Sequence, residues 1–149
     1  MYLPVVAKIL GVLLMLFSIL ANLPSIFVSW IYSDGEIPSF LYAGSITFMV
    51  GFLMCVMTCR ANKEMRTRDG FLIVTLFWTV LSTFGALPFW ISPDVPLDLT
   101  DAVFESFSGL TTTGATVVVG LDDLPQSILF YRQQLQWLGG MGIVALAVA

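Results

Sequence analysis

The chain has 149 residues, of which 58% are hydrophobic and only 11% are charged, and its net charge is −4. A soluble domain of this size carries roughly a quarter charged residues, so the composition excludes an ordinary soluble protein and indicates an integral membrane protein. The chain has only six Lys and Arg residues, which argues against nucleic-acid binding. Two cysteines without any histidine argue against a zinc-type site, and we expect no resident cofactor.

Two apolar runs open the chain and predict membrane-spanning helices over about residues 5–32 and 40–58. About 20 apolar residues are needed to cross the hydrocarbon core as a helix. Pro24 lies inside the first run and leaves one backbone carbonyl without its helical donor, which membrane helices tolerate when a neighbour satisfies that carbonyl. Cys55 and Cys59 lie near the end of the second run, and we expect both thiols to pack among helices or lipid.

Residues 60–68 form a short loop with four basic residues and one acidic residue. Cytoplasmic loops carry an excess of Lys and Arg, so this loop is predicted to face the cytoplasm. The N-terminus would then be cytoplasmic as well, because two spans return the chain to the side on which it began.

A third apolar run, about residues 70–91, leads back outward and is followed by an acidic segment. Between residues 94 and 123 there are six acidic residues and no basic one, namely Asp94, Asp98, Asp101, Glu105, Asp122 and Asp123. A last span begins near Gln126 and is still apolar at Ala149. We therefore expect the sequence to be the N-terminal part of a longer protein, with its last helix truncated.

Residues 98–110 predict a helix that is too short to cross the membrane. Asp98 can cap its N-terminus, and the acids at positions 101 and 105 lie early in the segment, where the helix dipole favours them. Thirteen residues give only ~20 Å of helix, against a hydrocarbon core of ~30 Å. Such a helix either lies on the membrane surface or dips into the membrane and returns.

The residues that follow, 111–116, are small and hydroxyl-bearing and surround one glycine, Gly114. Irregular backbone is tolerated at membrane depth where it lines a water-filled pore, and rings of backbone carbonyls can replace the hydration shell of an ion. Gly114 can adopt a positive φ. We interpret five residues as candidates for an ion filter: Thr111, Thr112, Thr113, Gly114 and Ala115. The alternative is an ordinary polar external loop in which Gly114 forms a turn.

The last span carries a polar stripe in its outer half, formed by Arg132, Gln133, Gln134 and Gln136. A charged residue within a span usually faces a polar interior or a partner, and Arg132 could reach an acid of the outer segment such as Glu105. Alternatively, Arg132 extends to the outer interface. Glycines at positions 139, 140 and 142 allow close helix approach or a bend.

Several stretches of the sequence resemble those of a known protein family. Residues 101–116 (DAVFESFSGLTTTGAT) resemble the first pore loop of Trk-type bacterial potassium uptake proteins, as do residues 130–133 and 136–143, and residues 70–74 and 76–81 also match that family. The similarity is strong from about residue 68 onward and extends to the first two spans by topology only. It implies an all-α integral membrane protein with two N-terminal transmembrane helices (1–68) and one helix–pore loop–helix repeat of K⁺-channel type (69–149).

The resemblance also implies roles and partners. Thr112 and Thr113 would supply K⁺-coordinating carbonyls, Gly114 would be the filter glycine, Thr111 and Ala115 would flank it, and three further repeats would complete the filter. The family implies K⁺ uptake across the bacterial inner membrane, as symport or passive conduction, by a homodimer with a cytoplasmic nucleotide-binding regulatory subunit. The loop at residues 60–68 would either contact that regulator or serve as a topology signal that binds anionic membrane lipid.

A single strand of carbonyls cannot encircle an ion, so four strands must converge before K⁺ can be conducted. The rival interpretation is therefore a truncated, non-conducting membrane fragment with no activity of its own. An intramembrane enzyme is poorly supported, because the sequence has no histidine, no Gly-x-Ser-x-Gly motif and no paired intramembrane carboxylates. We predict that the chain is not an enzyme.

Overall fold

The computed structural model describes residues 3–59, 67–95 and 97–148. The elements in chain order are α1 (Leu3–Tyr32), α2 (Ile37–Met57), α3 (Thr67–Gly85), α4 (Leu87–Ile91), α5 (Leu99–Leu110), a 3₁₀ helix (Leu121–Asp123) and α6 (Gln126–Val148). The predicted all-α class is confirmed. The division of the chain at residues 68 and 69 stays a prediction. Residues 60–66 lie outside the described part, so the structure does not test the prediction that the basic loop at residues 60–68 faces the cytoplasm.

Three helical stretches of the described residues are long and apolar enough to cross a membrane, namely Leu3–Tyr32, Ile37–Met57 and Gly70–Ile91. These agree with the first three predicted spans. Helix α6 has 23 residues, which is long enough, but it is not among these three stretches. Its outer half carries the polar stripe around Arg132, and its function as a span stays a prediction.

The third predicted span is one apolar run in the sequence but two helices in the structure. Helix α3 ends at Gly85, and α4 begins at Leu87 with Pro88 in its first turn. Proline has no N–H to donate and its ring clashes with the carbonyl four residues earlier, so a continuous helix through this position is unfavourable. The break leaves the carbonyl of Gly85 accessible, and the buried Tyr131 hydroxyl of α6 donates to it at 2.9 Å.

Helices α1 and α2 form an N-terminal hairpin in which the two backbones touch. A Cβ added to Gly11 would lie 2.7 Å from the carbonyl oxygen of Gly51, and a Cβ on Gly51 would lie 2.7 Å from that of Gly11. Further along, the Ser18 hydroxyl donates to the carbonyl of Gly44 at 2.7 Å. Small residues at such contacts let membrane helices pack closely, so the hairpin is a tightly joined unit.

The two cysteines differ in environment. Cys55 is partly buried and its thiol contacts the carbonyl oxygen of Lys8 in α1 at 3.6 Å, which agrees with the expected packing between helices. Cys59 is exposed at the end of the hairpin.

The short helix α5 packs against both α3 and α6. Its Ala102 and Leu110 are buried in the same hydrophobic core as Leu81 of α3 and Leu135 of α6. Twelve residues give ~18 Å of helix, so α5 cannot span the hydrocarbon core. The protein therefore holds a half-length helix among longer ones, and the candidate site lies where that helix ends.

Candidate filter segment and its support

Helix α5 begins as the sequence predicts. Asp98 adopts an extended backbone conformation, and its carboxylate accepts a hydrogen bond from the backbone N–H of Asp101 at 2.8 Å. An N-cap of this kind satisfies one of the unpaired donors of the first turn and favours a helix start at this residue. The local signal in the sequence therefore defined the start of α5 correctly.

The end of α5 has a feature that the sequence did not indicate. The backbone N–H of Thr112 donates to the carbonyl of Gly109, and that of Thr113 donates to the carbonyl of Ser108, both at 2.9 Å. These two bonds are those of a Schellman motif, whose left-handed residue is usually glycine. Here that residue is Thr112, with φ of 58°, an unfavourable conformation for a β-branched side chain.

Beyond this motif the chain is exposed and irregular. Residues 113–118 have no regular secondary structure, and every residue from 111 to 117 is exposed. Gly114 has the positive φ that the sequence interpretation requires, at 76°. The N–H of Gly114 also points back to α5, where it donates to the carbonyl of Ser108 at 3.3 Å. Among the described residues, no hydrogen bond reaches the carbonyl oxygens of residues 111–114.

The hydroxyl groups of the segment are bonded within it or to α5. The Thr111 hydroxyl lies 2.7 Å from the carbonyl of Phe107 and 2.8 Å from the Thr113 hydroxyl. The Ser108 hydroxyl donates to the carbonyl of Ala115 at 2.5 Å. The Ala115 carbonyl is thus turned toward α5, unlike those of the four residues before it, and Ala115 marks the end of the open backbone.

The carboxylate of Glu105 holds the next part of the segment. It accepts hydrogen bonds from the Thr116 hydroxyl at 3.1 Å and from the backbone N–H of Val117 at 3.2 Å. Glu105 is 2% exposed. Since a buried carboxylate needs partners to offset its lost hydration, these bonds both stabilise Glu105 and fix the returning backbone against α5.

Arg132 completes the polar cluster from α6. Its Nε and Nη2 atoms lie 2.6 Å and 2.5 Å from Oε1 of Glu105. Of the two alternatives for Arg132, contact with an outer acid or extension to the interface, the structure has the contact. Both side chains are buried, and removing one partner of a buried pair costs about 3–5 kcal/mol because the other charge is left uncompensated.

The space behind the segment is narrow. It is lined by six residues of α5, α6 and the segment itself: Glu105, Ser108, Gly109, Ala115, Arg132 and Gln136. This space has no room for a water molecule. The segment is therefore exposed on one side and fixed by direct hydrogen bonds on the other.

Two of these anchoring side chains were not singled out from the sequence. Ser108 was one polar residue of the predicted helix, and Thr116 was included in the candidate segment only by position. The sequence signal for both is spacing, because Glu105 and Ser108 lie three positions apart and therefore share a face of α5. The partners of Ser108 and Thr116 became evident only from the structure, which shows where the chain returns along α5.

Comparisons with known proteins agree with this architecture. A sequence profile of the TrkH family, described as cation transport protein, matches residues 36–149. The Trk system potassium uptake protein TrkH of Halomonas elongata is 58% identical over all 149 residues, and that of Salmonella typhimurium is 52% identical over the same length. The crystal structure of the potassium transporter TrkH from Vibrio parahaemolyticus superimposes with a TM-score of 0.94 at 50% identity over 99% of this chain.

The similarity reaches further than the motifs suggested. It includes the first two helices in sequence as well as in topology, since these relatives align over the whole chain. The chain spans 31% of the length of each of these relatives and of the solved transporter. With three-quarters of its residues matched by the profile, the chain belongs to the TrkH family of cation transport proteins.

Proposed function

We propose that this chain supplies one of four strands of a K⁺ selectivity filter and that the protein containing it takes up K⁺ through the inner membrane of bacteria. In this proposal Thr111, Thr112, Thr113 and Gly114 present backbone carbonyls to the ion. Ala115, with its carbonyl bonded to Ser108, flanks the coordinating residues. Glu105 and Arg132 support the strand and do not contact K⁺.

The observation that carries this proposal is the asymmetry of the segment's backbone hydrogen bonds. The N–H groups of Thr112, Thr113 and Gly114 are bonded to carbonyls of α5, whereas no described residue donates to their own carbonyls. A carbonyl that is exposed, unpaired and held by a fixed backbone can replace hydration water around a cation. The N–H bonds by themselves are those of the Schellman motif that ends α5, but an ordinary surface loop does not need open carbonyls together with a buried ion pair behind them.

Electrostatics favour a cation at the same place. The C-terminus of a helix carries a partial negative charge, and α5 ends directly before the segment. Besides Glu105, whose charge is paired with that of Arg132, the residues from Asp98 to Asp123 include four acidic side chains. These charges would raise the local concentration of cations at the entrance. A membrane potential of 100 mV would supply ~2.3 kcal/mol per charge for uptake.

The remaining parts of the proposal are those that the resemblance to the family implies. The protein would function as a homodimer in membrane lipid, with a cytoplasmic N-terminus and a cytoplasmic nucleotide-binding regulatory subunit. Three further repeats of the longer protein would supply the other strands. K⁺ would be the transported ion, with no resident cofactor and no catalytic residue, and both symport and passive conduction are compatible with this arrangement.

Replacement of Gly114 by Ser tests the filter assignment in a full-length protein of the family carrying this segment. A Cβ disfavours φ of 76°, so we expect the carbonyls to reorient and K⁺ over Na⁺ discrimination to fall about tenfold in a ⁸⁶Rb⁺ uptake assay, equivalent to ~1.4 kcal/mol. The matched control is Gly120→Ser, because Gly120 has a similar φ of 74° but lies outside the candidate filter. Equal effects of the two substitutions, or none at Gly114, would reject the assignment.

The non-conducting alternative has its own test. The 149-residue chain is reconstituted alone in vesicles, and ⁸⁶Rb⁺ flux is compared with that of a full-length relative. Because one strand cannot surround an ion, we expect no flux above that of empty vesicles. Selective flux from the isolated chain would mean that copies assemble into a complete filter without further repeats.

A further inference from the structure

We propose that the N-terminal hairpin, α1 and α2 with their connecting loop, is a positioning element for the filter, because it fixes the axial position and the rotation of α6. This inference rests on the proposed function of residues 111–114. It concerns a part of the chain that supplies no filter residue. Two contacts between the hairpin and α6 carry it, and each satisfies a backbone group that would otherwise be unpaired.

The first contact caps α6 from a distant part of the sequence. Asp34, in the loop between α1 and α2, accepts a hydrogen bond through Oδ2 from the backbone N–H of Ser127 at 3.0 Å. Ser127 is the second residue of α6, where a helix has no internal partner for its N–H groups. The other oxygen of Asp34 accepts from the Ser29 hydroxyl and from the backbone N–H of Glu36. The carboxylate therefore joins both helices of the hairpin to the start of α6.

The second contact lies about two turns further along α6. Pro24 has no N–H to donate, so the carbonyl of Leu20 in α1 lacks its usual helical donor. The side-chain amide of Gln134 in α6 donates to this carbonyl. A proline within a membrane helix thus creates an acceptor, and a glutamine of the neighbouring helix occupies it.

Both contacts lie on one side of α6, and Arg132, which supports the filter segment through Glu105, lies on the opposite side. Ser127 and Gln134 are seven positions apart and therefore share a face of an α-helix, whereas Arg132 is rotated by roughly 140–160° from both. Arg132 binds Glu105, which in turn holds the backbone of Val117. A shift or rotation of α6 would move Arg132 relative to Glu105. Together with the bond from Tyr131 to the Gly85 carbonyl, the hairpin contacts thus help to set where the back of the filter strand is held.

The test uses a full-length protein of the family and measures two quantities for each variant: the thermal unfolding midpoint in detergent, and Na⁺ competition against ⁸⁶Rb⁺ uptake. The first variants are Asp34→Asn, which replaces one accepting oxygen by an NH₂ group, and Gln134→Met, which removes the donor at similar length. We expect each to lower K⁺ over Na⁺ discrimination at least threefold. Thr47→Val is the matched control, because it removes a buried hydroxyl-to-carbonyl bond within α2 without affecting α6.

The double variant Gln134→Met with Pro24→Ala separates positioning from simple stabilisation. Alanine at position 24 restores a helical donor for the Leu20 carbonyl, so the orphaned acceptor is satisfied without the link to α6. If the hairpin positions α6, the unfolding midpoint recovers while discrimination stays low. Recovery of both would overturn the inference, since the bond would then serve only to satisfy a carbonyl.

The proposed function and this inference fail in distinguishable ways. If Gly114→Ser leaves discrimination unchanged, the filter assignment is wrong and the inference falls with it. If Gly114→Ser lowers discrimination but Asp34→Asn and Gln134→Met do not, only the inference is overturned. Should Gln134→Met not accumulate in the membrane, Asp34→Asn alone decides the outcome, because it affects the same helix through its N-terminus.

Discussion

The backbone of Gly139 in α6 lies directly against the carbonyl group of Leu110, the last residue of α5. A Cβ added at Gly139 would overlap the carbonyl oxygen and lie 2.8 Å from the carbonyl carbon. The glycine therefore lets α6 approach the end of the half-length helix, immediately before the candidate filter. Neighbouring Gly140 has open space where a Cβ would be placed.

Gly139→Ala is accordingly expected to push the end of α5 away from α6. Overpacking of this kind costs about 1–3 kcal/mol, and we expect a lower unfolding midpoint together with slower ⁸⁶Rb⁺ uptake in the full-length protein. Gly140→Ala is the control on the same helix, and alanine should there be neutral or stabilising by up to about 1 kcal/mol. Identical behaviour of the two variants would contradict the close approach described above.

Glu105→Gln is expected to be strongly destabilising, because Arg132 would remain buried without its counter-charge. Loss of one partner of a buried ion pair costs about 3–5 kcal/mol. Thermal unfolding and ⁸⁶Rb⁺ uptake of the full-length protein measure the effect. Asp122→Asn removes an exposed acid of the same outer segment and should change stability by less than about 0.5 kcal/mol. A Glu105→Gln protein as stable as this control would show that the pair contributes little.

Thr112→Gly is expected to stabilise the protein. Thr112 occupies the left-handed position of the Schellman motif, which a β-branched residue adopts only at a cost of about 1–3 kcal/mol. Glycine removes this strain but increases the entropy of the unfolded chain, so we expect a net gain of about 1 kcal/mol in unfolding free energy. A lower unfolding midpoint would mean that the Thr112 side chain makes a contribution larger than the strain.

Asp34 should make stability dependent on pH at the acidic end. Burial raises the pKa of its carboxyl, but hydrogen bonds from the Ser29 hydroxyl and from the backbone of Ser127 and Glu36 outweigh this effect, and the pKa lies below its ordinary value of 3.8. Because the folded-state pKa is lower than that of the unfolded chain, the contribution is fully present above the unfolded value. It is lost as pH falls through the folded one.

The measurement compares the unfolding midpoints of the unmodified protein and Asp34→Asn between pH 7 and pH 3. We expect a constant difference down to about pH 5 and a decreasing difference below it, as both states bind the proton. A difference that is the same at pH 7 and pH 3 would show that the ionised carboxylate is not what stabilises the start of α6.

Much of the fold could be predicted because its signals are local. The long apolar runs predicted α1 and α2 to within three residues at each end, and Asp98 predicted the start of α5. The division between α3 and α4 was missed although Pro88 is visible in the sequence. That prediction rested on the continuous apolar run from Gly70 to Ile91 and took no account of the proline within it.

The candidate site was predictable in part. The contact between Glu105 and Arg132 was one of two alternatives that the sequence left open for Arg132. A charged residue in a span needs a partner, but the sequence does not show which residue that partner is. The positive φ of Gly114 was predicted, because glycine alone adopts it without cost. That of Thr112 was not predicted, because a strained conformation is imposed by surrounding contacts and has no propensity signal.

By itself the sequence determined that this protein is helical and built for a membrane, that one helix is half-length, and that a threonine–glycine segment follows it. These properties depend on composition, on run length and on capping residues, all of which act over a few neighbouring positions. Only the tertiary structure decided that Asp34 caps α6, that Gln134 satisfies the carbonyl freed by Pro24, and that Glu105 holds the returning backbone. Those partners lie between 11 and 114 positions apart in the sequence, and hydrogen bonds of that range form only after packing brings the helices together.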